Sequence, residues 1–263
     1  FVPLSLCPFV PLSLCPFVPL SEREGAIEII TVESIPGIRE PFSFFSHFLG
    51  AFVYAGLAVS LVRRGIATRS NTVSLIVLGF SSVLLLLLSS FYHMLWPGAA
   101  RDLMRRMDIS AVFVLIAGSM TPVHVILFRG FHRWGPLVLV WTAATSGIVM
   151  RLFIFPDMSL IAGTGLFLVF GWGGAITGFV IWRYSGLPFV LPFIYGGLAY
   201  TIGAIVIGIH WPVLVDGVIG PHEIWHVAVL TGLAFHWQFV WEIADARVPI
   251  AERAFPKRRP PPG

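Results

Sequence analysis

Seven stretches of this chain, each about 20 residues long and nearly free of charge, restrict it to one kind of fold. They cover about residues 44–62, 72–95, 108–128, 135–155, 159–182, 187–211 and 222–243. Segments so long and so apolar belong in lipid, where no water satisfies the backbone and a helix must close its own hydrogen bonds. The alternation of a membrane β-barrel is absent, because runs such as Ser82 to Leu88 are apolar on every side. Composition agrees: 57% of residues are hydrophobic and 11% charged, with a mean hydropathy of +0.87. The expected fold is an all-α membrane protein, a seven-transmembrane helix bundle over residues 44–243. The segments between spans leave no room for a second folded domain.

The flanks read differently. Residues 1–21 repeat FVPLSLCP almost three times, and the recurring proline breaks any helix. With no initiator Met, this stretch is read as low-complexity and disordered or artefactual, a translated nucleotide repeat or a misplaced start. Cys7 and Cys15 occupy the same place in successive repeats, so neither is given a redox or metal role. Residues 22–43 form an N-terminal juxtamembrane segment, and 244–263 a basic, Pro-rich tail suited to contact with anionic lipid. The net charge of +4 resides in loops and tails, and no basic stripe interleaves with aromatics as nucleic-acid binding would need. Counting Lys and Arg by side places the C-terminus in the cytoplasm and the N-terminus outside.

Polar residues near the spans carry the functional information, since each costs free energy in lipid unless paired or used. His47 opens the first span, His93 closes the second, Asp108 opens the third, and His222 and His226 open the seventh. Connectivity brings all five to one membrane face. His124 and His132 fall at the opposite face and act as internal controls. His222 and His226 stand i, i+4, so both imidazoles leave one side of a helix about 6 Å apart along its axis. A third nitrogen from His93 would make three protein ligands with a fourth position open, the arrangement of catalytic rather than structural zinc. Asp108 would accept a hydrogen bond from metal-bound water or orient a ligand ring, and Ser89, one turn before His93, faces the same way. His236 is read as packing or making an interhelical hydrogen bond, His210 as interfacial, and Tyr92, Trp96 and Trp211 as interfacial anchors. Thr121-Pro122 is expected to kink or end its helix, and the Gly163, Gly165, Gly171 and Gly174 patches to mark close helix packing.

These residues resemble those of a known family. Ser89-Ser-Phe-Tyr-His93 matches the SxxxH motif of the progestin and adipoQ receptor/haemolysin III family. Asp108 stands where that family has an aspartate, and His222-Glu-Ile-Trp-His226 matches its HxxxH motif. Val229-Leu-Thr-Gly232 and His236 continue the bacterial-type pattern. Glu40, Ser43, Ser46 and His47 follow the spacing of its ExxNxxTH segment, with serines replacing Asn and Thr. The resemblance runs over about residues 38–243 and is nearest to the bacterial haemolysin III branch. It implies Zn2+ held by His93, His222 and His226, in a bacterial cytoplasmic (inner) membrane. It also implies ceramidase-like hydrolysis of a lipid amide by zinc-activated water, with Asp108 moving the proton and Ser89 as an extra donor. The adiponectin-receptor branch of the family has its N-terminus and metal on the cytoplasmic side, opposite to the charge count.

Other readings compete with this one. Residues 222–226 spell HExxH, the pattern of a zinc protease with Glu223 as general base, but Gly232 occupies the position of a metzincin third ligand. A lipid sensor or receptor would use the same three ligands to brace helices. A pore or transporter would need polar residues through the full bilayer depth, whereas these cluster at one face. Retinal photochemistry is excluded, because the only lysine is Lys257 in the tail.

Overall fold

The computed structural model describes residues 34–66, 68–155 and 158–244. The octapeptide repeat, both cysteines and the basic tail lie outside the described residues. Among the described residues the chain forms eight α-helices and one π-helical turn. They are α1 (Pro41–Arg64), α2 (Arg69–Met94), α3 (Ala99–Leu127), α4 (Phe131–Val149, continued by the π turn Met150–Ile154), α5 (Leu160–Trp172), α6 (Gly174–Ser185), α7 (Leu187–Ile209) and α8 (Pro221–Ile243).

Local sequence explains the boundaries. Pro41 and Pro221 start α1 and α8 at positions where a missing N–H costs nothing. Thr68 caps α2, its side chain accepting from the Asn71 N–H at 3.1 Å. That helix stops just before Trp96-Pro97, since the residue ahead of a proline is driven out of the helical region. Gly186 turns α6 into α7 at φ +86°, a conformation glycine adopts without steric cost.

Among the described residues six stretches are long and apolar enough to cross a bilayer: α1, α2, α3, α4 with its π turn, the α5–α6 pair and α7. Helix α8 is long enough at 23 residues, but it is not among them. It carries His222, Glu223, His226, His236, Gln238 and Glu242, and these lower its hydropathy. Of the seven expected spans, then, six qualify by length and composition. The exception is the helix bearing most of the polar candidates.

Helix α3 is the axis of the bundle. Its most apolar window is 72% buried, against 28% or less in α1, α4 and the α5–α6 pair. Helices α2 and α4 flank it, α1 packs on α2, α7 packs on α8, and α8 reaches both α1 and α3. The core gathers Leu78, Leu86, Leu115, Leu233 and Phe239. Outside, Phe52, Phe80, Leu139, Val169 and Ile176 are exposed, an apolar surface that water would not tolerate but lipid does. Between spans, lipid is as apolar as leucine, so close packing and interhelical hydrogen bonds hold the bundle. Trp237 Nε1 donates to Ser82 Oγ at 3.0 Å, and Trp141 Nε1 to Thr121 Oγ1 at 3.1 Å.

Of the two outcomes expected at Pro122, a kink or an end, the end is overturned: α3 continues through it to Leu127. The glycines divide. A Cβ on Gly174 would come within 3.3 Å of Met120, and one on Gly178 within 3.2 Å of Phe193, so these are close-packing sites. A Cβ on Gly163, Gly165 or Gly171 would meet open space, and none of the three is a packing site.

Candidate metal centre

The N-terminal ends of α1 and α8 and the C-terminal end of α2 meet at one end of the bundle. There the ligand-capable atoms of His93, His222 and His226 all lie within 4.8 Å of one another. Ring centroids are 4.9 Å apart for His93–His222, 4.6 Å for His93–His226 and 4.8 Å for His222–His226. His93 and His226 are buried, while the His222 side chain keeps 41% of its exposure, so the cluster opens on that side.

One nitrogen decides what such a cluster suits. His93 Nε2 is buried and has no hydrogen-bond partner. A buried ring nitrogen without a partner costs about 1–3 kcal/mol unless something occupies its lone pair. Three converging imidazoles without a thiolate suit a borderline divalent ion such as zinc, and they leave a fourth position for water or substrate. The residues present therefore fit a metal ion.

The other nitrogen of His93, Nδ1, hydrogen-bonds Glu40 Oε2. Glu40 is buried at the N-cap of α1, and its second oxygen accepts from Arg101 at 2.6 Å. Burial alone would raise the Glu40 carboxyl, but the His93 hydrogen bond and the Arg101 charge hold it below the usual carboxylate range. Arg101 also lies over the Tyr92 ring at 4.4 Å, so Tyr92 does more than anchor an interface. His47 Nε2 lies 3.0 Å from His226 Nδ1, with ring centroids 4.0 Å apart.

Asp108 does not open its helix. Helix α3 begins at Ala99, about 13 Å earlier along the axis, and Asp108 is its first carboxylate beyond the first turn. It remains close to the cluster, within electrostatic reach of His222. Ser89 is buried one turn before His93 on α2. Glu223 is engaged too: it accepts from the Gly220 N–H at 3.0 Å and the Ser43 hydroxyl at 3.1 Å. Its separation from His222 Nδ1 is 3.6 Å.

The remaining histidines lie elsewhere. His124 sits near the far end of α3 and bridges the His132 carbonyl and the Thr177 hydroxyl, each at 3.1 Å. His236 is buried deeper in α8 and stacks on Phe193 at 5.1 Å, a packing role as expected. His210 is exposed at the C-cap of α7.

Residues 37–237 match the family described as haemolysin-III related, and every residue of the cluster lies inside that match. The chain belongs to the haemolysin III family. It is 31% identical over 192 residues to hemolysin-3 of Bacillus cereus, covering 72% of this chain and 84% of that protein. It is 34% identical over 170 residues to a hemolysin-3 homolog of Bacillus subtilis (strain 168), covering 62% of this chain and 74% of that one. Family membership and six apolar helices together make it an integral membrane protein.

Sequence reasoning missed Arg101. Starting the third span at residue 108 left Arg101 in a loop, where it counted only as a charge. Glu40 was visible as a motif position without a role. The signal available was a carboxylate directly ahead of a proline that begins a span, near the same membrane face as His93.

Proposed function

We propose that this haemolysin III family member is a zinc-dependent hydrolase of lipid amides, ceramidase-like, crossing a bacterial cytoplasmic membrane seven times with α8 as the seventh span. One observation carries the reading: His93, His222 and His226 converge within 4.8 Å, and His93 presents a buried nitrogen with no other partner. When bound there, zinc supplies Lewis acidity, acidifying water and polarising a carbonyl.

The chain's own residues do the rest. Asp108 accepts the proton of the attacking water and returns it to the leaving nitrogen, so that an amine departs rather than its anion. Ser89, buried one turn before His93, offers its hydroxyl as an extra donor to the developing oxyanion. The apolar surface of the bundle keeps the acyl chain in lipid while its polar amide reaches the membrane face where the histidines lie. Nucleic acid has no place in this reading. A protease reading asks Glu223 to be the base, but both its oxygens are engaged in capping α8 and holding Ser43.

A sensor reading has one observation in its favour. The ligands come from α2 and α8, which pack on α1 and α3 more than on each other among the described residues. A metal there would cross-link them without any chemistry.

Metal analysis of detergent-purified protein, followed by hydrolysis of a short-chain ceramide, tests both. Near-stoichiometric zinc with turnover, both lost in His222→Ala/His226→Ala, supports the hydrolase. Zinc without turnover of any lipid amide moves the assignment to the sensor, and no metal in the wild type overturns both.

A further inference from the structure

We propose that Glu40 and His47, from the short stretch that enters the first helix, are positioning residues that select the ligand nitrogen of His93 and His226. This rests on the metal reading above and adds a determinant of affinity to it.

A neutral imidazole has one N–H and one lone pair, and a metal takes only the lone pair. At His93 the assignment follows from its neighbours. Nδ1 faces the Glu40 carboxylate, which only accepts, so Nδ1 carries the proton and Nε2 holds the lone pair. Nε2 is also the buried atom with no hydrogen-bond partner. Glu40 is in turn held from several directions. Arg101 donates to its other oxygen at 2.6 Å, and its backbone N–H donates to the His93 carbonyl at 3.1 Å. The next backbone link, Arg39 N–H to the Met94 carbonyl at 3.3 Å, seals the same junction.

At His226 the partner is another imidazole. Its Nδ1 lies 3.0 Å from His47 Nε2. For His226 to offer Nε2, its Nδ1–H must donate to His47 Nε2, and His47 must then carry its own proton on Nδ1. The reverse proton placement would leave His226 protonated at Nε2 and unable to bind. His47 is thus the acceptor that makes His226 a ligand. Glu40 and His47 lie within the first two turns of one helix, so a single element orients two ligands carried by two others.

His222 differs. Its nearest carboxylate oxygen is 3.6 Å away on Glu223, beyond hydrogen-bond distance, and its side chain is far more exposed than those of His93 and His226. The inference therefore separates the three ligands: two are oriented from α1 and one is not.

Titration of metal-stripped protein with Co(II), then competition with Zn(II), reads affinity and ligand geometry together. Glu40→Gln keeps shape but removes the charge and one acceptor; His47→Phe keeps the ring but removes the acceptor. Each should weaken zinc binding roughly 10–100-fold and shift the visible Co(II) bands, as loss of a ligand's outer partner does. His47→Gln restores an acceptor oxygen and should recover most of the affinity, a rescue that lost packing alone would not give. Glu223→Gln should bind as wild type does. Wild-type affinity and spectrum in both Glu40→Gln and His47→Phe would overturn the proposal while leaving the metal site standing. A wild-type protein that binds neither ion overturns the metal reading itself. If His47→Phe does not purify as a helical protein, the isosteric Glu40→Gln decides alone.

Discussion

The two ends of α3 lie near histidines of opposite character. At the far end, both ring nitrogens of His124 meet oxygens, one a backbone carbonyl and one a hydroxyl. At the near end, His93, His222 and His226 face one another, and a nitrogen of His93 meets no hydrogen-bond partner. Both regions bury imidazole among apolar helices. The first is chemically complete, because every lone pair and proton has somewhere to go. The second leaves ring nitrogens without partners, and three of its rings lie close enough together to share one ion. Burial does not distinguish a site from a core histidine; the partners of its nitrogens, together with the other ligands that converge on it, do.

The largest effect that tests this contrast is loss of metal. His93→Ala removes a ligand and should leave purified protein with essentially no zinc, while His124→Ala should retain the full wild-type content by elemental analysis. Metal lost equally from both variants would erase the distinction. Next comes chemistry. Asp108→Asn keeps all three imidazoles, so zinc should stay bound while amide hydrolysis falls roughly 10²–10⁴-fold, the range for removing a general base. Glu223→Gln should change turnover far less, since its oxygens serve the start of α8. A Glu223→Gln protein as inactive as Asp108→Asn would return the HExxH reading to first place.

The near end was legible in sequence because its chemistry is written in spacing. An i, i+4 pair, a histidine closing one span and an aspartate in the next converge once span parity is known. Parity survives errors in the boundaries. The third helix starts at Ala99 rather than near residue 108, yet Asp108 still lies within electrostatic reach of His222. The same error hid Arg101, and with it the reason for Glu40. A charged residue in an amphipathic first turn looks like loop until its partner on another helix is seen. The glycines of α5 misled for a related reason: small residues mark close approach only where a neighbour comes near, and at Gly163 and Gly165 none does.

The far end should answer in stability rather than function. His124→Phe preserves volume approximately but strands the Thr177 hydroxyl and the His132 carbonyl. The expected loss is about 1–3 kcal/mol in a detergent unfolding titration, with zinc content unchanged. A variant as stable as wild type would mean that those two oxygens find other partners, and that the far end is less complete than its geometry suggests.

His236 gives the smallest effect and the sharpest limit on the comparison. Like His93 it is buried and has an Nε2 without a partner. Unlike His93 it faces aromatic rings, Phe193 stacked at 5.1 Å and Tyr200 edge-on at 5.5 Å, and it joins no group of three metal-ligating side chains among the described residues. A lone nitrogen cannot hold a divalent ion, which needs several ligands at once. Replacing the ring by His236→Phe keeps the stack and removes an unsatisfied polar atom, so stability should change by about 1 kcal/mol or less. Zinc content and turnover should match the wild type. If His236→Phe loses metal, an orphaned nitrogen anywhere in the bundle reports on the site, and convergence of ligands is not the criterion. If it does not, convergence is what separates His93 from His236.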